Sequence, residues 1–108
     1  MTVKAKKPAA KPEIIHERLV STGSSGWVYE RIQARAGVKI RVIFRRDSYA
    51  EQSFARVEYW TGSAWTEVLI GEPPPCFSYP RLPIINEVYD VRRDANALEE
   101  KARKVAGT

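Results

Sequence analysis

Apolar and polar residues alternate through residues 27–46, and this alternation predicts a β-hairpin. The two runs meet at Ala36-Gly37. A three-residue loop over 35–37, with Gly37 in the left-handed conformation, would pair Ala34 with Val38. In this register one face of the hairpin is apolar and carries Val28, Ile32, Ala34, Val38, Ile40, Val42 and Phe44.

The opposite face of this predicted hairpin combines cations with aromatic rings. It carries Trp27, Tyr29, Arg31, Gln33, Lys39, Arg41, Ile43 and Arg45. Cations hold phosphates and aromatic rings stack on bases, so the face is typical of a sheet that binds single-stranded or flexible nucleic acid. Arg31 would lie opposite Arg41, which costs stability unless an anion lies between them. We therefore expect phosphate contacts from Arg31, Lys39, Arg41 and Arg45, and base stacking on Trp27 and Tyr29.

A two-residue loop at Ala36-Gly37 is the alternative register for this hairpin. It would shift one strand by one residue and move every side chain of that strand to the other face. Arg31 and Arg46 would then share one face, and Lys39, Arg41 and Arg45 the other. The three-residue loop is favoured because it leaves Glu30 as the one charge among seven apolar side chains.

Residues 53–60 and 64–70 predict a second hairpin, whose turn at Gly62-Ser63 would pair Trp60 with Trp65. One face, the expected core, holds Ala55, Val57, Tyr59, Thr66, Val68 and Ile70. The other holds Phe54, Arg56, Glu58, Trp60, Trp65, Glu67 and Leu69. On this second face, Phe54, Trp60 and Trp65 form a candidate protein interface. Glu58 and Glu67 would face each other as a solvated pair, with Arg56 able to neutralise one of them.

The remaining segments complete a single α+β domain over residues 13–108. Residues 13–20 fit either a buried strand or one helical turn. Residues 71–83 hold five of the seven prolines and predict an extended crossover. The chain turns helical from Ile84, most strongly over 94–105, with Asp94 capping the start and Gly107 ending the helix. We expect a four- or five-stranded antiparallel sheet with a C-terminal helix on one face.

The predicted helix has a narrow apolar seam that suits packing inside the chain or pairing of two helices. Its members are Val91, Ala95, Leu98, Ala102 and Val105. A small sheet with exposed edges gains by pairing, so we expect a homodimer formed through a sheet edge or through the helix.

Charge and composition limit the choice of partners. The formal net charge is +5, and four of these charges are the lysines of residues 1–12, which we expect to be a disordered basic tail. The basic isoelectric point is therefore weak evidence for nucleic acid. Cys76 has no second cysteine to pair with, no apolar run has the length of a membrane span, and the first residues do not resemble a secretory signal. These features predict a soluble, cytoplasmic protein.

The residues give little support for catalysis. His16 is the only histidine, and Cys76 lies in a proline-rich loop beside Phe77 without the flanking residues of an activated thiolate. No cluster of histidines, cysteines or carboxylates has the spacing of a metal site. We therefore expect a binding module without enzymatic activity and without a cofactor.

Two resemblances add to this interpretation. The second hairpin, VEYWTGSAWTEV over residues 57–68, resembles the turn-tryptophan hairpin of small uncharacterised proteins of actinobacterial phages, which implies an accessory role that targets a host or phage protein. The order of strand, Gly26-Trp27, basic hairpin and late helix is similar to that of the single-stranded-DNA-binding transcriptional coactivator family. That resemblance, carried by Gly26-Trp27 and the hairpin arginines, implies a curved antiparallel sheet and a dimerising helix.

Overall fold

The computed structural model describes residues 12–23 and 26–107 and shows an α+β domain, which confirms the predicted fold class. Five antiparallel strands pair in chain order, and one helix follows them. The elements are β1 (Glu13–Ser21), β2 (Trp27–Arg35), β3 (Val38–Arg46), β4 (Phe54–Trp60), β5 (Trp65–Gly71) and α1 (Ile85–Ala106). Residues 13–20, for which the sequence allowed two interpretations, therefore form a strand. Of the predicted tail, only Pro12 falls within the described residues.

The register predicted for the first hairpin is wrong. Arg35 pairs with Val38 and Ala34 with Lys39, so the loop contains only Ala36 and Gly37. Both loop residues have positive φ, +52° and +81°, as a two-residue type I′ turn requires. Compared with the prediction, every side chain of β2 lies on the opposite face of the sheet.

The helix packs across one face of the sheet, here called the inner face, and the core lies between them. Alternate residues of β2, β3 and β4 point to this face, because successive side chains of a strand alternate. The buried apolar side chains are Trp27, Tyr29, Ile40, Val42, Phe44, Ala55, Val57, Cys76, Val91, Ala95, Leu98 and Ala102. Four of the five residues of the predicted helix seam are in this core, while Val105 is exposed. The seam therefore serves packing within the chain.

The second hairpin has the predicted turn but contains a bulge. Trp60 pairs with Trp65, which confirms that part of the prediction. Val57 pairs with Leu69 while Glu58 pairs with Glu67, so Val68 is an extra residue in β5. Beyond this bulge the faces are exchanged: Leu69 packs against the core and Ile70 is exposed. The predicted faces of these two residues are therefore wrong.

The helix begins at Ile85, which confirms that the chain turns helical from Ile84, whereas the predicted cap at Asp94 is wrong. The Ile84 N–H donates a hydrogen bond to Glu87 Oε1 at 3.0 Å, and this bond fixes the first turn. Asp94 lies in the interior of the helix, where its Oδ2 accepts the backbone N–H of Cys76 at 2.9 Å. Gly107, with a φ of +78°, ends the helix as predicted.

The proline-rich crossover closes one end of the core. It contains a 3-10 turn, Pro75–Ser78. The Phe77 ring contacts Trp27 and Phe44 edge-on, with centroid distances of 5.7 and 5.9 Å. Trp27 Nε1–H donates to the carbonyl of Tyr79 at 2.9 Å, so the buried indole has a polar partner. Within the described residues, no helix combines the length and the apolar character needed to cross a bilayer.

Candidate functional site

The sheet has a second face, here called the open face, on the side away from α1. Among residues 12–23 and 26–107, no helix or loop packs over it. The strand registers place there Glu13, His16, Arg18 and Val20 of β1; Val28, Glu30, Ile32 and Ala34 of β2; Lys39, Arg41, Ile43 and Arg45 of β3; Phe54, Arg56, Glu58 and Trp60 of β4; and Trp65, Glu67 and Ile70 of β5. An antiparallel sheet commonly leaves one face to solvent or to a partner, so this face is the candidate site.

The structure divides the six predicted nucleic-acid-binding residues between the two faces. Lys39, Arg41 and Arg45 share the open face, as the alternation along β3 predicted. Trp27, Tyr29 and Arg31 lie on the inner face, with at most 2% of their surface exposed. The corrected register explains the division, since it turns β2 over while β3 keeps its orientation. The predicted basic and aromatic surface is therefore not assembled.

Tyr29 contributes to a polar link between β1 and the helix. Its hydroxyl donates to Glu17 Oε2 at 2.6 Å. Arg92 of α1 donates to both oxygens of the same carboxylate, at 2.9 and 3.0 Å. The hydrogen bond from Arg92 holds the pKa of Glu17 below its usual value despite partial burial, whereas burial and the bond to Glu17 raise the pKa of Tyr29. Neither group is available to a ligand on the open face.

Arg31 is also occupied inside the fold. Its Nη1 donates to Asn96 Oδ1 at 2.8 Å and its Nη2 to Glu99 Oε1 at 3.0 Å. Gln33 Nε2 donates to the same Glu99 oxygen at 2.9 Å. Across the strands, Arg31 faces Val42, so the predicted opposition of Arg31 and Arg41 does not occur. The repulsion that suggested a bound anion is therefore absent.

A chain of ion pairs crosses the middle of the open face from β1 to β4. Glu30 Oε1 accepts a hydrogen bond from Arg18 Nε at 3.2 Å and lies 3.0 Å from His16 Nε2. Arg41 Nη1 lies 3.6 Å from Glu30, and Arg41 Nε donates to Glu58 Oε1 at 2.8 Å. Arg56 Nε ends the chain 3.1 Å from Glu58 Oε2. Burial opposes ionisation of Glu30, but the bonds from His16 and Arg18 outweigh it and lower its pKa.

Two tryptophans form an aromatic corner at one end of the open face. The rings of Trp60 and Trp65 pack across the strands, with centroids 5.4 Å apart and planes at 58°. The Arg41 guanidinium stacks on Trp65, 4.5 Å from the ring centroid. Phe54 shares the face but lies six residues away from Trp60 on β4, about 20 Å along the strand. The three residues of the predicted protein interface are therefore divided into the tryptophan pair and the distant Phe54. The Arg56 guanidinium stacks on Phe54, 4.7 Å from the ring centroid.

The predicted pair of Glu58 and Glu67 is confirmed in position but not in environment. The two residues face each other across β4 and β5. Glu58 is buried, with Arg41 and Arg56 bound to it, whereas Glu67 is exposed. Sequence reasoning found the possible contact of Arg56 but missed the rest of the chain of ion pairs. No local pattern marks that chain, because its members come from four strands and meet only through the register.

The groups considered for catalysis are separated in the structure. His16 lies on the open face beside Glu30, and Cys76 is buried in the core. Burial, together with the Asp94 carboxylate beside it, raises the pKa of the Cys76 thiol far above its usual range. Among the described residues, no three His, Cys, Asp or Glu side chains come together in a way that could hold a metal ion.

Comparison with known proteins finds no family model, no curated protein and no solved structure that matches this chain. The resemblances to phage proteins and to the transcriptional coactivator family therefore stay predictions.

Proposed function

We propose that the protein is a binding module that docks a protein partner on the open face of its sheet. The observation that carries this proposal is the aromatic corner of Trp60 and Trp65, with Arg41 stacked on it, on a face that no described element covers. Tryptophan and arginine are the side chains that most often dominate the binding energy of protein interfaces. A host or phage protein, the partner that the phage resemblance implies, suits this role.

The middle of the open face favours a protein over a nucleic acid. Arg41 already holds Glu58 and lies 3.6 Å from Glu30. A phosphate bound at Arg41 would approach Glu30 and Glu58, which repel it. Trp27 and Tyr29, the rings predicted to stack on bases, are in the core. Binding of single-stranded nucleic acid stays a prediction, which a binding assay with a labelled oligonucleotide tests.

Site-specific photo-crosslinking tests the proposal. A benzoylphenylalanine replaces Glu67, beside the aromatic corner, in one version of the full chain and Lys104, on the exposed side of α1, in the control. We expect a protein adduct from position 67 in cells of the source organism, no such adduct from position 104, and loss of the adduct in Trp60→Ala/Trp65→Ala. Circular dichroism melting curves confirm that the double variant is folded.

Two outcomes contradict the proposal. The first is adduct formation at position 67 that does not change when both tryptophans are replaced. The second is tight binding of a labelled thymidine oligonucleotide at low salt that is lost in Arg41→Gln/Arg45→Gln and kept in Trp60→Ala/Trp65→Ala, which would assign the face to nucleic acid.

A further inference from the structure

The ion-paired groups of the open face lie at two depths. The two carboxylates in the chain of ion pairs are low: the side chains of Glu30 and Glu58 are 18% and 10% exposed. Three of the four arginines on the face are higher: the side chains of Arg18, Arg45 and Arg56 are 52%, 43% and 37% exposed. A partner that approaches these ion pairs therefore meets the arginines before the two carboxylates.

Both exposed acids of the face lie in one half, which also carries the exposed Lys39. Glu13 and Glu67 are near the two hairpin loops, in the half that contains the aromatic corner. The other half, here called the basic half, carries Arg18, Val20, Val28, Glu30, Ile43, Arg45, Phe54, Arg56 and Ile70. It has three cations and one carboxylate, that of Glu30, which is bound by Arg18 and His16. Arg45 and Arg56 lie 3.5 and 3.1 Å from carboxylates at its borders, and their side chains stay 43% and 37% exposed.

Apolar side chains separate the cations of the basic half. Val20 and Ile70 are exposed at its two sides, and Ile43 lies between Glu30 and Arg56 across the strands. Its one ring, that of Phe54, already stacks on Arg56. The basic half offers few aromatic rings on which the bases of a nucleic acid could stack. A protein segment with both carboxylates and apolar side chains could instead bind its cations and pack on its apolar side chains.

We infer that the open face docks an acidic amphipathic segment of its partner. Carboxylates of that segment bind Arg18, Arg45 and Arg56, apolar side chains pack on Val20 and Ile70, and the aromatic corner contributes apolar contact area. This inference rests on the proposed function, because it names the chemistry of the partner at the same face. Arginine suits the role, since its planar group can bind a carboxylate through two parallel hydrogen bonds.

The experiment uses three probes of stated chemistry with the full chain. They are a labelled peptide of alternating glutamate and leucine, a matched peptide of alternating lysine and leucine, and a thymidine oligonucleotide. Fluorescence anisotropy at low salt measures binding to the wild type, to Arg18→Gln/Arg56→Gln and to Lys101→Gln/Lys104→Gln. The last variant removes two cations from exposed positions on α1 and controls for net charge.

We expect the acidic peptide to bind, and its affinity to fall about ten-fold in the Arg18/Arg56 variant while the lysine control changes by about two-fold or less. The lysine peptide should not bind. Equal loss in both variants, or tighter binding of the oligonucleotide than of the acidic peptide, would overturn the inference.

The crosslinking assay separates the two proposals. If the adduct at position 67 depends on the tryptophans but is unchanged in the Arg18/Arg56 variant, the protein-binding function holds and the acidic partner is wrong. If the adduct is unchanged in both variants, both proposals fail. Melting curves of the Arg18/Arg56 variant test whether its fold is intact; the two side chains are 52% and 37% exposed, so we expect a small change in stability.

Discussion

Arg31 of β2 and Glu99 of α1 form a buried ion pair, with Nη2 of the arginine 3.0 Å from Oε1 of the glutamate. The pair lies between sheet and helix, where burying each charge alone would be costly. Arg31 Nη1 also donates to Asn96, and Gln33 donates to the same Glu99 oxygen. This pair couples the orientation of β2 to the position of the helix, because only the observed register brings Arg31 to the inner face.

Replacing Glu99 alone should strongly destabilise the protein. Glu99→Leu leaves the buried guanidinium of Arg31 without its ion-pair partner, and we expect the free energy of unfolding to fall by about 3–5 kcal/mol. The double replacement Arg31→Met/Glu99→Leu should lose clearly less, because no unpaired charge remains in the core. Urea denaturation measures both. If the double variant is as unstable as Glu99→Leu alone, Glu99 does not stabilise the fold by pairing with the charge of Arg31.

Gly71 allows the end of β5 to approach the helix closely. A Cβ atom at this position would lie 2.5 Å from Leu98 Cδ1. We expect Gly71→Ala to lower the free energy of unfolding by about 1–3 kcal/mol through overpacking. The same substitution should cost less in a Leu98→Ala background, where the opposing methyl groups are absent. A double-mutant cycle from denaturation curves gives the coupling, and additive effects would contradict a direct clash.

The Ala36-Gly37 turn can be improved. Ala36 has a φ of +52°, a left-handed conformation that an alanine adopts at a cost, whereas asparagine is the preferred residue before glycine in a type I′ turn. Ala36→Asn should therefore raise the free energy of unfolding by about 1 kcal/mol. Ala36→Val is the matched control and should lower stability, because its β-branched side chain resists positive φ. Thermal melts distinguish the two variants.

Arg41 and Arg45 differ in structural role although both lie on the open face. Arg41→Glu would place a third carboxylate between Glu30 and Glu58 and remove the stacking on Trp65, so we expect a loss of about 2 kcal/mol. Arg45→Glu affects a more exposed side chain and should cost about 1 kcal/mol or less. If denaturation curves give the two variants the same free energy of unfolding, the contacts of Arg41 contribute no more to stability than those of Arg45.

Acid should destabilise the fold through Glu17. The bond from Arg92 lowers its pKa in the folded state, so the unfolded chain binds the proton more tightly. The stabilisation is therefore present above the unfolded pKa of about 4.3 and is lost as the pH falls through the lower folded value. We expect the melting temperature to fall below about pH 4, and to fall less in Arg92→Gln. An unchanged pH profile in that variant would exclude this contribution.

The sequence by itself determined the elements of this protein. Alternation of apolar residues located β2 to β5, the Gly62-Ser63 turn located the Trp60–Trp65 pair, and Gly107 located the end of the helix. These features depend on neighbours along the chain, so local rules suffice. The start of the helix was also located, near Ile84, but its cap was wrongly placed at Asp94, because Ile84 has no capping side chain and exposed Ile85 and Tyr89 interrupt the apolar pattern.

The tertiary structure alone decided which face of β2 is buried. The pattern of the two strands, considered without the helix, favoured the register with the fewest charges on the apolar face. That register placed Arg31 in solvent. The helix supplies Glu99 and Asn96 for Arg31 from more than 60 residues away, so a charged residue can lie in the interior. Burial of a charge depends on a partner distant in sequence, and for this reason the open face could be identified only after the strands and the helix had been placed together.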